Sequence, residues 1–197
     1  MKTFKPTSKS RRSMTVVTYK GVLSGDRPMK SLLSSKKNRA GRNNAGRISV
    51  RHQGGGSKRR LRDVDFKYNK MNIPAKIETV EYDPYRTGFI ARALYADGER
   101  RYVLVPKDLK VGDTFIVGEN APIKIGNRLP LSKIPSGTFI YNVELQAGAG
   151  GRIARSAGNY AEVVAHDAGY AQVKMPSTEI RKISERCYAS IGAVGNE

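Results

Sequence analysis

The sequence changes character near residue 70. Residues 1–70 carry 20 Lys and Arg against three acids, Asp26, Asp63 and Asp65, a net charge of +17; residues 71–197 carry 16 against 14, a net of +2. Only 16 of the first 62 residues are hydrophobic, with no sustained helical or strand period. Such a segment cannot bury enough apolar surface to offset an ordering cost of roughly 1–2 kcal/mol per residue. The expectation is an extended basic N-terminal arm, disordered alone and ordered by its partner. Forty extended residues reach on the order of 130–140 Å, enough to thread a large assembly.

From Ile73 the pattern becomes that of strands. Ile73, Ala75, Ile77 and Thr79 alternate with Pro74, Lys76 and Glu78, the period of a half-buried strand. Strands are expected at 89–95, 101–105 and 113–118, with Asp83-Pro84 and Asp97-Gly98 as turns. A second series is expected at 138–145, 160–165, 170–175, 179–183 and 187–192. It is separated by turns at Gly126–Pro130, Ile134–Gly137 and His166–Gly169. Short strands at this spacing, without a long helix, predict a mainly β protein of two small barrels. The expected division is a basic arm over 1–40, a first barrel domain over 41–125 that includes the basic motif 41–62, and a second over 126–197.

Within 197 residues there is room for one or two small domains. No apolar run approaches the ~20 residues of a membrane helix, and the start has no apolar signal region. The lone Cys187 forms no internal disulfide, which suggests a reducing, cytosolic compartment, and it reads as a small buried residue. A pI near 10.2 points to a polyanionic partner.

Catalytic signals are weak. His52 and His166 are the two histidines, and no nucleophile elbow, zinc spacing or dinucleotide fingerprint accompanies them. Gly54-Gly55-Gly56-Ser57-Lys58 has the composition of a phosphate loop but lacks the strand before it and the helix after it. No cofactor is expected. An enzyme using His52 or His166 as a base, and a free regulator built on an SH3-like module, are the competing readings.

The strongest signal is the run 41–62. It places Arg42, Asn43, Asn44, Arg47, Arg51, His52, Gly54, Gly55, Gly56, Lys58, Arg59 and Arg60 together. Glycine lets backbone N–H groups approach phosphates, arginine offers a planar fork, and asparagine reads base edges or 2′-hydroxyls. A second basic loop, Ala147–Asn159, carries Gly151, Arg152, Arg155 and Ser156, and Arg86 follows the Asp83-Pro84 turn. RNA contact is the reading for all of these. Tyr82, Tyr85, Tyr95 and Tyr102 are left as strand aromatics that could stack bases.

The ordered motifs Gly-Arg-Asn-Asn-Ala-Gly-Arg-Ile, Arg-His-Gln-Gly-Gly-Gly, Glu-Tyr-Asp-Pro-Tyr-Arg, Asp-Gly-Glu-Arg-Arg-Tyr, Gly-Gly-Arg-Ile-Ala-Arg-Ser-Ala-Gly and Ile-Gly-Ala-Val-Gly-Asn-Glu resemble large-subunit ribosomal protein two of bacterial or organellar type. The resemblance spans essentially the whole chain. It implies an oligonucleotide-binding-type barrel followed by an SH3-like barrel. It implies binding to 23S-type large-subunit rRNA near the peptidyl-transferase region and a role in peptide-bond formation, although no catalytic motif is present here and no enzyme is expected. Roles in subunit assembly, subunit association and tRNA binding go with it, as do contacts with other large-subunit proteins and the small subunit. No membrane is involved, and the location is the cytoplasm, or an organellar matrix or stroma. By motif position, the RNA-contacting role falls on Arg42, Asn43, Asn44, Arg47, Arg51, His52 and Gly54 to Gly56, on Arg86, and on Gly151, Arg152, Arg155 and Ser156. Members usually continue past the position of Glu197, and Ser57 stands where a histidine is common.

Overall fold

The computed structural model describes residues 2–16, 18–36 and 38–196. Fourteen short strands dominate. In the arm, β1 (Lys2–Thr3) pairs with β2 (Thr15–Val16) around a one-turn helix α1 (Lys9–Arg12), capped by the Ser8 hydroxyl accepting from Arg11 N–H. Then β3 (Leu33–Ser35) pairs antiparallel with β4 (Arg60–Arg62), closing the basic motif into a long hairpin excursion. No described residue before Val64 is buried.

The arm is more attached than its composition suggests. Ser24 exchanges bonds with Val80: its N–H donates to the Val80 carbonyl at 3.0 Å and its hydroxyl accepts from Val80 N–H at 2.9 Å. The Tyr19 ring packs edge-on against Phe89 at 5.5 Å. Met29 N–H donates to the Tyr102 hydroxyl at 2.9 Å, which donates to buried Glu81 at 2.8 Å. Residues 19–35 therefore lie strapped to the first barrel, held by one aromatic and a few polar groups rather than by an apolar face.

The first barrel follows from β5 (Ala75–Glu81), β6 (Ile90–Tyr95), β7 (Arg100–Leu104) and β8 (Thr114–Phe115), in sheet order β7-β6-β5-β8. Alternation buries Ala75 and Ile77 against Ala93, Tyr95 and Phe115. A bulge between Ile77 and Thr79 then breaks the period, which is how Thr79, Val80 and Glu81 all come to be buried. The second barrel comprises β9 (Arg128–Pro130), β10 (Phe139–Tyr141), β11 (Ala161–Asp167), β12 (Tyr170–Lys174), β13 (Ile180–Ser184) and β14 (Tyr188–Ile191), in order β13-β12-β11-β10-β14-β9. Its core gathers Leu129, Leu131, Ile140, Val163, Val173, Cys187 and Ala189. Cys187 is fully buried, and that burial raises its thiol pKa. The architecture is mainly β, an oligonucleotide-binding-type barrel followed by an SH3-like barrel.

Three local expectations are corrected. Gly126–Pro130 is not all turn: Arg128, Leu129 and Pro130 form a buried strand paired with β14. The expected strand 138–145 stops at Tyr141, because Asn142 adopts φ +50°. His166 is not in a turn but in β11, opposite Ala171. The hairpin turn there is Ala168-Gly169, both at positive φ, the geometry that matches strand twist in a two-residue turn.

A third apolar cluster joins the barrels, with Val64, Ile90, Tyr102 and Leu104 meeting Tyr141, Ala154 and Val194. Backbone bonds from 193–196 reinforce it: Lys107 N–H donates to Ala193 O and Gly195 N–H to Val105 O, each at 2.9 Å. Beside it, bonded to the backbone next to Tyr141, Arg128 is 1% exposed. It donates to the Asn142 carbonyl at 2.7 Å and to Glu144 Oε1 at 2.9 Å, and its guanidinium lies 4.9 Å from the Tyr68 ring centroid. Glu144 Oε2 in turn accepts from the Gly148 and Tyr188 N–H groups, each at 3.2 Å. Every charge in this junction has a partner, as burial demands.

Candidate nucleic-acid interface

The basic motif folds on itself before it meets anything else. Asn43 N–H donates to Arg47 O, Arg47 N–H returns to Asn43 Oδ1, each at 2.9 Å, and Gly46 N–H donates to Asn43 O at 3.1 Å. The resulting tight loop leaves the Arg42, Asn43, Asn44 and Arg47 side chains exposed. Arg39, Arg42, Asn43, Asn44 and Gly46 line a hollow of about 440 Å³. The crossing of the two loop strands requires Gly41: a Cβ there would sit 2.1 Å from the Val50 carbonyl oxygen, and its φ is +69°. Gly54 packs against Ala40, whereas Gly55 and Gly56 face open space. Arg51, His52, Lys58 and Arg60 are likewise exposed. Arg59 anchors the base of the excursion by donating to the Pro84 carbonyl at 3.0 Å and lying 4.6 Å from the Tyr85 ring centroid.

A second cationic site assembles from three distant segments. Arg86, held by an ion pair with Asp83, places its guanidinium 5.2 Å from the Phe66 ring centroid. Arg155, from the second barrel, places its own 3.8 Å from the same centroid. Phe66 thus gathers two arginines read in the sequence as separate candidates. Burial, then the positive charges of Arg86 and Arg152, push the Arg155 guanidinium below its ordinary value. Its Nε is buried without a hydrogen-bond partner among the described residues. Ala157 N–H donating to the Thr87 hydroxyl at 3.1 Å, and Asn196 Nδ2 to the Thr87 carbonyl at 2.6 Å, zip this rim together.

Arg152 and Ser156 are exposed on the same loop, but Gly151 is buried. A Cβ on Gly151 would lie 2.1 Å from Asn142 Oδ1, so the position has no room for a larger side chain. Among the tyrosines, Tyr95 and Tyr102 are buried in the first barrel and Tyr82 remains exposed. Phe66 was not marked by any motif; its partners arrive only through the fold.

Charge pairing separates the arm from the body. In the first barrel Glu78 engages Arg92 and Arg100, while Asp65 and Glu99 engage Arg101. Among the described residues, no Lys or Arg before Lys70 is ion-paired with a carboxylate. His166, the other histidine weighed for chemistry, contacts Glu185 Oε1 at 3.0 Å and the Ile134 carbonyl at 2.8 Å, which occupies both ring nitrogens in structure. Among the described residues, no helix is long and apolar enough to cross a membrane.

Two family matches fit this geometry. Residues 29–117 match the family described as Ribosomal Proteins L2, RNA binding N-terminal domain. Residues 124–197 match Ribosomal Proteins L2, C-terminal domain. The first begins at the strap over the first barrel and includes the basic excursion and Phe66; the second includes Arg152 and Arg155. The chain therefore belongs to the ribosomal protein L2 family, structural RNA-binding proteins of the large ribosomal subunit rather than classical enzymes.

Proposed function

We propose that this chain binds 23S-type rRNA near the peptidyl-transferase region and there supports large-subunit assembly, subunit association and tRNA binding. The compartment is the cytoplasm, or an organellar matrix or stroma, and the small subunit is a further contact. The supporting observation is the unbalanced charge of the basic excursion: its described cations are exposed and, among the described residues, lack carboxylate partners, so they need an external polyanion. Arg42, Asn43, Asn44, Arg47, Arg51, His52, Lys58, Arg59 and Arg60, with Gly54 to Gly56 for close backbone approach, form the first contact surface. Arg86, Arg152, Arg155 and Ser156 form the second, and the junction around Arg128 holds the two at fixed spacing.

Counterion release then dominates affinity. Ten phosphate contacts give a log–log salt slope of roughly −7 to −9. Filter binding of the full chain to large-subunit rRNA in rising salt measures that slope. A slope near zero overturns the reading.

A further inference from the structure

The outer face of the second barrel carries a row of side chains that its core does not use. The registers place Phe139 opposite Glu162, and Glu162 opposite Lys174, so the three share one face of β10, β11 and β12. Tyr160, two residues before Glu162, stands beside them, its ring 4.6 Å from that of Phe139. Phe139 is 49% and Tyr160 45% exposed. Tyr160, Glu162 and Lys174 line a groove of about 260 Å³. Although Glu162 and Lys174 face each other across strands, among the described residues neither is ion-paired. Gly158 and Asn159, at the end of the loop that carries Arg155 and Ser156, line the same groove.

We propose that this face is a stacking site for one unpaired rRNA base. The inference rests on the RNA-binding reading above and names a contact of a different kind. Exposed aromatics stack bases without regard to sequence. The Glu162 carboxylate accepts from an exocyclic amino group, as carboxylates do from cytosine N4, and it repels phosphate. The sugar-phosphate chain therefore passes on the Lys174 side. A base with an amino edge is favoured over uracil. Continuity with the Arg155 loop and the cation beside the rings argue for RNA over an apolar protein partner.

Stacking is distinguishable from counterion release because it involves no phosphate. In filter binding of the full chain to large-subunit rRNA, Tyr160→Leu is expected to weaken binding roughly 5- to 150-fold while leaving the salt slope unchanged. Tyr160→Phe, which keeps the ring, is expected to bind as the natural chain does. Matching far-UV spectra and urea midpoints for both variants confirm that folding is not the cause. A photoreactive residue at 139 in assembled large subunits is expected to crosslink to a single unpaired nucleotide. Natural affinity in Tyr160→Leu, an equal loss in Tyr160→Phe, or crosslinks to protein alone would each overturn the proposal. If the natural chain itself shows no salt-dependent binding, the failure belongs to the RNA-binding reading instead.

Discussion

Arg128 and Arg155 present the same guanidinium to opposite surroundings. Arg128, between the barrels, is 1% exposed and meets a carboxylate, a carbonyl and an aromatic face. Arg155, at the rim, meets an aromatic face and feels the positive charges of Arg86 and Arg152, and among the described residues its Nε has no partner. The first arrangement is closed: nothing needs to bind there for the charge to be satisfied. The second is open: its repulsion falls only when an anion arrives. On the reading proposed above, partner completeness, not residue type or exposure alone, separates an arginine that builds the fold from one that serves as a ligand contact.

The largest test of that contrast is Arg128→Met. It leaves Glu144 buried without its charge partner and should cost about 3–5 kcal/mol in a urea melt. Adding Glu144→Leu should recover part of the loss, since no lone carboxylate then remains, but not all of it, because the Gly148 and Tyr188 N–H groups lose their acceptor. Unchanged stability in Arg128→Met would break the closed reading of the junction.

A smaller effect is expected at Gly151, where sequence and structure point different ways. By motif position it is an RNA contact; in the fold it is buried against Asn142. Gly151→Ala should destabilise the protein by about 1–3 kcal/mol through overpacking, with the RNA salt slope of the folded protein intact. A natural urea midpoint combined with weakened RNA binding would return Gly151 to the interface.

What the sequence shows and what it hides follow from range. Alternation and Asp-Gly chemistry are local, so β5, β6, β7 and the hairpin β11–β12 were legible to within two residues at each end. The buried strand β9 was not, because Gly126, Asn127 and Pro130 carry turn signals. Burial there is set by pairing with β14, which lies far along the chain. The basic excursion was legible from composition, but its closure by β3 and β4 was not, since Leu33 and Arg62 pair without any periodic signal. Docking of the arm escaped for a similar reason: it depends on single groups, Tyr19, Ser24 and Met29, rather than on an apolar stripe. Arg86 and Arg155 were both marked in the sequence as separate loops. Their meeting on Phe66 is a tertiary fact that no spacing encodes.

That meeting yields the smallest and most discriminating expectation. Arg155→Ala removes a cation that the folded chain holds against two others, so stability should stay within about 0.5 kcal/mol of the natural protein. Removing one phosphate-neutralising charge should lower the magnitude of the salt slope by about one. On the reading proposed above, a Phe66 rim that joins loops from both barrels would recognise a shaped RNA surface and not a charge density. The loss should therefore be greater on native large-subunit rRNA than on a scrambled RNA of equal length, whereas Lys58→Ala, on the exposed excursion, should weaken both alike. Equal losses for Arg155→Ala on the two RNAs would reduce the rim to one more solvated cation, and the distinction between an open site and an ordinary charged surface would fail there.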